Sequence, residues 1–230
     1  MPSDPPTVVS FDAAGTLIHL AEPVGITYAR VAAEHGVTAD PAAIGRAFGT
    51  VWKRTPPPFS QATPAADEDP HERAWWSRLV RAVFAETGIV FPDEDLYESF
   101  FDALYLRFEE PGTWLAEAGT GEILRRIADA HRCIVLSNFD ARLRRILADL
   151  GLLDPFEALF LSCEERLSKP DPRLFARVSE RLGVAPEAIL HVGDDPVCDW
   201  AGAEAAGYRH FRVGRDQKDL RDLLVELSLA

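Results

Sequence analysis

The sequence predicts an α/β fold in which a mostly parallel sheet is flanked by helices and interrupted by one all-helical insertion. Short apolar runs recur in the second half of the chain, each followed by a stretch with helical spacing, and this alternation is typical of βα units. One more apolar run lies near the start, before a segment of over a hundred residues with almost no strand signal. Since a lone strand cannot bury both faces, the early run must join the same sheet.

The predicted strands are four-residue apolar runs, at 8–11, 133–136, 158–161, 189–192 and 210–213. The insertion is patterned as four helices, at about 22–36, 40–54, 70–88 and 93–108, because its apolar residues recur at helical spacing. The prolines of 55–59 separate the second helix from the third. We expect a core formed by residues 1–18 and 115–230, and an insertion formed by residues 19–114.

Composition narrows the class of protein. With 230 residues, 47% of them hydrophobic, the chain is long enough to bury a sizeable core. Its formal charge of −13 argues against nucleic acid or an anionic membrane as the main partner. We therefore expect a small-molecule partner, and the surface permits a monomer or a homodimer.

Cysteine usage and the N-terminal segment bear on location. Cys133, Cys163 and Cys198 are odd in number and form no C-x-x-C pair, so they indicate neither a disulfide framework nor a zinc site. The N-terminal segment lacks the basic and apolar regions of a signal peptide, and no apolar stretch approaches the ~20 residues that span a bilayer. We expect an unprocessed cytoplasmic protein.

Chemistry-bearing residues follow several of the predicted strands. Asp12 comes directly after the first strand, Ser137 after the second, and Asp194 after the fourth, with Lys169 and Asp199 in nearby loops. Open α/β folds bind ligands outside the carboxyl ends of their strands, so we expect these side chains to meet.

A carboxylate can attack phosphorus, or a carbon bearing a leaving group, and form a covalent intermediate that water opens. Asp12 is our candidate nucleophile. Three carboxylates, from Asp12, Asp194 and Asp199, would repel one another unless a cation lies among them. Oxygen ligands favour a hard ion, and Mg²⁺ accepts carboxylates together with substrate phosphate oxygens. Lys169 would add a second positive charge.

Hydrogen-bond donors for a phosphoryl group are also present. Two hydroxyl groups, of Thr16 and Ser137, could donate to phosphoryl oxygens. The backbone N–H group after Asp12 and that of Asn138, which follows Ser137, could donate as well. Each residue alone has an ordinary explanation, since Asp12 could form a turn and Lys169 could be a solvated loop lysine. The occurrence of all these groups in order, each near a strand end, favours a real site.

Other conspicuous side chains have structural explanations. Trp75 and Trp76 are expected to serve as core and as a contact between domains rather than as a ligand cage. His191 is expected to be buried and hydrogen-bonded rather than a base. A set of arginines is expected to cover an exposed helix face: Arg142, Arg144 and Arg145.

The segments that contain Asp12, Ser137, Lys169 and Asp194 resemble, in this order, the four sequence motifs of the haloacid dehalogenase-like hydrolase superfamily. The similarity extends to uncharacterised haloacid dehalogenase-like hydrolase domain-containing proteins, which share a Trp-Trp pair, a Ser-Asn-Phe-Asp second motif and a His-Val-Gly-Asp-x-x-x-Cys-Asp fourth motif. The resemblance implies a Rossmann-like core with a helical cap inserted between the first and second motifs.

The first motif departs from the family's usual Asp-x-Asp-Gly-Thr. The second Asp acts in the family as general acid and then as base, and here that position is Ala14. The resemblance implies that the backbone carbonyl of this residue ligates the metal, which alanine can also do. Loss of a positioned acid/base typically costs about 10²- to 10⁴-fold in rate.

Two other branches of the superfamily also differ at this position. Haloacid dehalogenases have an aromatic residue there, use no metal and lose the Gly-Asp of the fourth motif, whereas Gly193 and Asp194 are present here. Phosphonoacetaldehyde hydrolases have alanine, keep Mg²⁺ and use a cap lysine, for which Lys53 is the one candidate in the predicted insertion. The surroundings of Lys53 match that branch poorly.

We therefore expect a Mg²⁺-dependent hydrolase of a small phosphorylated metabolite that forms an aspartyl-phosphate on Asp12. Two alternatives stay open. One is a catalytically impaired protein that binds Mg²⁺ and phosphate, and the other is a C–P bond hydrolase that uses Lys53.

Overall fold

The computed structural model describes residues 5–59, 68–214 and 217–229, without the side chains of residues 68–71. These residues fall into two compact units. The core unit contains residues 5–19, 58–59, 116–214 and 217–229, and the helical unit contains residues 20–57 and 68–115.

The strands are β1 (Val8–Phe11), β2 (His19–Leu20), β3 (Trp114–Leu115), β4 (Arg132–Ser137), β5 (Ala158–Leu161), β6 (Ile189–Gly193) and β7 (Arg209–Arg212). Five of them form one sheet in the order β5-β4-β1-β6-β7, and every neighbouring pair in that sheet is parallel. A two-stranded sheet pairs β2 with β3. The predicted parallel sheet is confirmed.

β1 lies at the centre of the larger sheet, and all four of its residues are fully buried. Side chains alternate between the two faces of a strand. Val8 packs with Ile134 of β4 and Ile189 of β6 in one cluster, so Phe11 points to the opposite face. Burial on both faces explains why these strands are apolar runs rather than alternating patterns.

The helical unit contains α1 (Val24–Glu34), α2 (Pro41–Arg54), α3 (Glu68–Glu86) and α4 (Glu94–Arg107). The side chains of Asp40 and Asp93 accept backbone N–H groups at the starts of α2 and α4, which explains where these helices begin. Their apolar stripes meet in one cluster, where the rings of Phe84 and Phe100 lie 5.1 Å apart, edge to face.

The tryptophan pair lies on α3. Trp75 is buried, and its indole N–H donates to the carbonyl of Pro56 at 3.0 Å. Trp76 is partly buried, and both rings contact the exposed ring of Trp52. Trp75 is therefore a core residue of the helical unit, as expected.

The core unit adds helices between its strands and after the last one: α5 (Thr120–Ala128), α6 (Arg142–Asp149), α7 (Ser162–Glu165), α8 (Pro172–Leu182), α9 (Gly202–Ala205) and α10 (Leu220–Glu226). A π-helix, Pro196–Ala201, follows β6. Across the described ranges 5–59, 68–214 and 217–229, none of the helices has the length and apolar character needed to cross a membrane.

One expectation about the arginines was wrong. Arg144 and Arg145 are exposed, but the side chain of Arg142 is only 12% exposed. Its guanidinium pairs with the buried carboxylate of Asp140 through Nε at 2.8 Å and Nη2 at 2.5 Å. The sequence pattern grouped the three arginines because it does not reveal a partner that precedes the helix.

Candidate active site

The central strands deliver polar side chains to one edge of the sheet. Asp12 follows β1, Ser137 is the last residue of β4, and Asp194 follows β6. Because these three strands are parallel neighbours, their carboxyl ends lie side by side. Asp12, Ser137 and Asp194 therefore lie at the same edge of the sheet.

A cluster of carboxylates lies at this edge. Among the described residues, Asp12, Asp194 and Asp199 each offer an oxygen within 4.8 Å of the others. Asp12 and Asp199 are buried, and Asp194 is partly buried. Such close approach of carboxylates in a buried place requires compensating positive charge.

Lys169 supplies part of that charge. Its side chain is 2% exposed, and its Nζ donates to Oδ1 of Asp12 at 2.8 Å and to Oδ1 of Asp199 at 2.5 Å. Burial alone would lower the pKa of Lys169, but the two carboxylates outweigh burial and raise it. Lys169 is therefore a permanent cation between them.

The pKa values of the three carboxyl groups are shifted in different directions. Burial would raise the pKa of Asp199, yet Lys169 and His191 lower it well below its usual range. Burial, with the charge of Asp199, raises the pKa of Asp12 despite the opposing effect of Lys169. The pKa of Asp194 is also raised, to about 7, first by burial and then by the charges of Asp12 and Asp199.

The three carboxylates also differ in their hydrogen-bond partners. Asp199 is satisfied by the protein, because Lys169 and His191 donate to its Oδ1 and the Asp195 N–H donates to its Oδ2 at 2.9 Å. Asp12 and Asp194 are not satisfied to the same extent. A donor set made only of carboxylate oxygens fits a hard divalent cation such as Mg²⁺, and such a cation would stabilise the ionised forms of both groups.

Two glycines allow the carboxylates to approach the backbone. Gly15 has a φ of +90°, and a Cβ placed there would lie 2.4 Å from Oδ2 of Asp194. A Cβ at Gly193 would lie 2.3 Å from Cγ of Asp199. Any larger residue at either position would displace a carboxylate, which explains the glycines in the first and fourth motifs.

The predicted phosphate donors have different surroundings. The Thr16 hydroxyl lies 3.4 Å from Oδ1 of Asp194 as a donor. The buried Ser137 hydroxyl hydrogen-bonds to Asp12, which opposes the rise in the pKa of Asp12 that burial causes. The side chain of Asn138 instead bonds the backbone of Lys169, through Nδ2 to the carbonyl at 2.9 Å and through Oδ1 to the N–H at 2.7 Å. Any phosphate contact from Asn138 would therefore come from its backbone N–H, while its side chain positions Lys169.

Ala14 and Lys53 complete the set of predicted residues. Ala14 is exposed and forms a backbone bridge with Ile18, and its methyl group offers no proton. Lys53 is exposed on α2, in the helical unit.

Sequence reasoning missed the bonds that hold the site together. These are the links of Asn138 to the Lys169 backbone and of His191 to Asp199. The polar residue types next to the motifs were a signal, but their partners are 31 and 8 residues away in the chain, so no local pattern identifies them.

Comparison with known proteins assigns the family. The family described as haloacid dehalogenase-like hydrolase matches residues 6–207. Haloacid dehalogenase-like hydrolase domain-containing protein 3 of Mus musculus is 33% identical over 207 residues, which cover 90% of this chain and 81% of that protein. The Homo sapiens protein of the same name is 31% identical over the same shares of the two chains.

Solved structures share the fold. The magnesium-bound HAD-hydrolase YfnB of Bacillus subtilis has a TM-score of 0.76 at 17% identity, covering 98% of this chain and 100% of that one. The defluorinating L-2-haloacid dehalogenase Rha0230 has a TM-score of 0.75 at 20% identity, covering 99% and 100%. With the family match, the parallel sheet and the acidic cluster that could hold a metal, these similarities show that the chain belongs to the haloacid dehalogenase-like hydrolase family.

Proposed function

We propose that this hydrolase acts on a small phosphorylated metabolite and forms an aspartyl-phosphate on Asp12. The observation that carries the proposal is the buried ammonium of Lys169, 2.8 Å from Oδ1 of Asp12. It gives a nucleophilic carboxylate a fixed orientation and a positive charge beside the point of attack, and electrostatic stabilisation of this kind is a large part of phosphoryl-transfer catalysis.

The reaction has two steps. The carboxylate of Asp12 forms a bond to phosphorus while the leaving oxygen departs with its electron pair. Water then attacks the phosphorus of the acyl phosphate, which releases inorganic phosphate and restores the carboxylate. The hydroxyl of Ser137 and the backbone N–H groups after Asp12 and Ser137 would donate to phosphoryl oxygens.

We propose Mg²⁺ as the cofactor. Asp12, Asp194 and the backbone carbonyl of Ala14 would hold it. The sequence also predicted Asp199 as a ligand, but Oδ1 of Asp199 already accepts from Lys169 and His191, so we assign Asp199 as the partner of Lys169. When bound, the ion supplies the positive charge that Asp12 and Asp194 lack and that a phosphoryl group also requires. The magnesium bound to YfnB, a protein of the same fold, is consistent with this assignment.

Ala14 shapes the preferred substrate. With no carboxylic acid at this position, the leaving oxygen must depart without a donated proton. Acyl and aryl phosphates can do this because their leaving groups are stable anions, whereas the alkoxide of a sugar phosphate is not. We infer a preference for such activated phosphates over alkyl monoesters, and we interpret the helical unit as the cap that selects among them.

A turnover panel tests the proposal. Acetyl phosphate, 4-nitrophenyl phosphate and a sugar phosphate are each incubated with the protein and Mg²⁺, with Asp12→Asn as the inactive control. The first two should be hydrolysed faster than the third, and equal rates for all three would contradict our interpretation of Ala14. In Ala14→Asp, restoration of a positioned acid should raise the rate on the sugar phosphate by about 10²- to 10⁴-fold.

A catalytically impaired binding protein is the second candidate, and the absence of an acid at Ala14 favours it. Mass spectrometry of Asp12 after incubation with acetyl phosphate separates the two, since only an active protein adds a phosphoryl group.

The same assay panel includes 2-chloropropionate, because one L-2-haloacid dehalogenase of this fold holds chloropropionic acid covalently. For the C–P hydrolase, borohydride with an aldehyde substrate should label Lys53.

A further inference from the structure

A buried chain of hydrogen bonds extends from the candidate site into the middle of the sheet. Ser10 of β1 and His191 of β6 are partners in register, and both are fully buried. Ser10 Oγ lies 3.0 Å from His191 Nδ1, and His191 Nε2 lies 3.1 Å from Oδ1 of Asp199. The same oxygen of Asp199 accepts from Lys169, which also donates to Asp12.

The chemistry of these groups fixes the proton positions. The ammonium of Lys169 and the N–H of Asp195 can only donate, so both carboxylate oxygens of Asp199 accept. His191 Nε2, 3.1 Å from the same Oδ1, must therefore carry a hydrogen. In the Nε2–H tautomer, Nδ1 has a free lone pair that accepts the Ser10 hydroxyl, 3.0 Å away. The opposite tautomer would direct a lone pair at the carboxylate.

The chain limits where the ammonium of Lys169 can lie. Two donors meet Oδ1 of Asp199, and the Asp195 N–H holds Oδ2. Without the N–H of His191, Oδ1 would depend on Lys169 alone, and the ammonium would move toward Asp199 and away from Asp12. The ring of Phe175, 6.0 Å from that of His191 and edge to face, restricts the imidazole further.

We propose that Ser10 and His191 are positioning residues: Ser10 orients the His191 ring, and His191, as the Nε2–H tautomer, holds Asp199 so that Lys169 is shared with Asp12. Neither residue contacts substrate. The kinetic consequence rests on the proposed function, whereas the tautomer and the position of the ammonium do not.

Nuclear magnetic resonance tests the geometry in the full chain without substrate. Lysine labelled with ¹⁵N gives few signals, because the lysines are Lys53, Lys169 and Lys218, and of these only Lys169 is buried. Its ammonium signal, protected from exchange, should shift in His191→Leu and return toward the wild-type position in His191→Gln, whose amide can still donate to Asp199. Histidine labelling should show His191 protonated on Nε2 alone. A protonated Nδ1, or an unmoved Lys169 signal, would overturn the proposal.

Kinetics test the consequence, with Mg²⁺ and acetyl phosphate. Outer hydrogen-bond partners of active-site groups typically contribute about 10- to 100-fold, so kcat should fall by that factor in His191→Leu, with a smaller change in KM. His191→Gln should recover most of the loss, and Ser10→Ala should lose less than His191→Leu.

Ser179→Ala is the matched control, because it also removes a buried hydroxyl of the core unit, one that bonds Tyr208 at 2.9 Å. Its kcat per folded molecule should equal that of the wild type. If His191→Leu and Ser10→Ala lower only the melting temperature, as Ser179→Ala does, the positioning role is wrong although the proposed function stands. If the wild type itself does not turn over, the proposed function fails, and the Lys169 signal alone decides the positioning role.

Discussion

An ion pair of the helical unit and the ion pairs of Lys169 in the core unit differ in how deeply they are buried. In the helical unit, the pair of Arg54 with Glu86 connects two helices at the surface, with side chains 56% and 36% exposed. In the core unit, Lys169 pairs with Asp12 and Asp199, whose side chains are 11% and 1% exposed. Exposed pairs contribute little to stability, whereas each buried ion costs several kcal/mol of desolvation that only good pairing offsets.

The difference shows which charges stability does not explain. The aromatic cluster of the helical unit, with Phe84, Tyr97 and Phe100 fully buried, shows that apolar packing supplies a core in this protein. Apolar side chains of similar volume often stabilise a fold at least as well as a buried ion pair. A buried group of Lys169 with two aspartates is therefore better explained by chemistry at the strand ends.

Removal of one charged side chain from each unit should give the largest difference in the free energy of unfolding. Lys169→Met leaves Asp12 and Asp199 buried without their cation, and we expect a loss of about 3–5 kcal/mol in the free energy of unfolding. Arg54→Met removes an exposed partner and should cost about 1 kcal/mol or less. Chemical denaturation at pH 7 measures both, and equal losses would show that the core-unit group is no more than a surface-like pair.

Substitution of Asp194 should have a smaller effect on stability, and that effect should depend on pH. Its folded pKa of about 7 lies above the ordinary value of 3.8, so ionisation of Asp194 destabilises the folded state progressively as pH rises from about 4 to about 7. Asp194→Asn removes this penalty. With a chelator present, the melting temperature of the variant should exceed that of the wild type by more at pH 8 than at pH 5.

Magnesium provides the control for that comparison. Ligands that bind only the folded state raise the melting temperature, so Mg²⁺ at pH 8 should stabilise the wild type more than Asp194→Asn. A difference between the two proteins that stays constant with pH would contradict the role given to the buried carboxylate.

Local patterns sufficed for most of the fold. The run at 8–11 coincides with β1, because a strand buried on both faces is a continuous apolar run. The run at 210–213 differs by one residue from β7, an edge strand that is only partly buried. The four helices of the insertion were recognisable from their apolar stripes. The domain boundaries placed at residues 18 and 115 stay a prediction.

The candidate site was only partly predictable. Motif order indicated that Asp12, Lys169 and Asp194 belong together, since parallel strands end at one edge. It did not indicate that Asp199 also accepts from His191 and from the Asp195 N–H, because these contacts depend on the neighbouring strand and on the π-helix that contains Asp199. Such contacts are set by distances in the folded chain, which local sequence patterns do not contain.

Substitution of Trp75 should have the smallest effect on the melting temperature, and it tests the stability of the helical unit alone. Trp75→Phe keeps an aromatic ring on α3 but removes the indole N–H that donates to Pro56 at 3.0 Å. A buried hydrogen bond of this kind contributes about 0.5–1.5 kcal/mol, so the melting temperature should fall by a few degrees. Trp52→Phe is the control, because the side chain of Trp52 is exposed and should tolerate the smaller ring. If the two variants melt together, the bond from Trp75 to Pro56 adds nothing to the helical unit, and its stability rests on the apolar cluster alone.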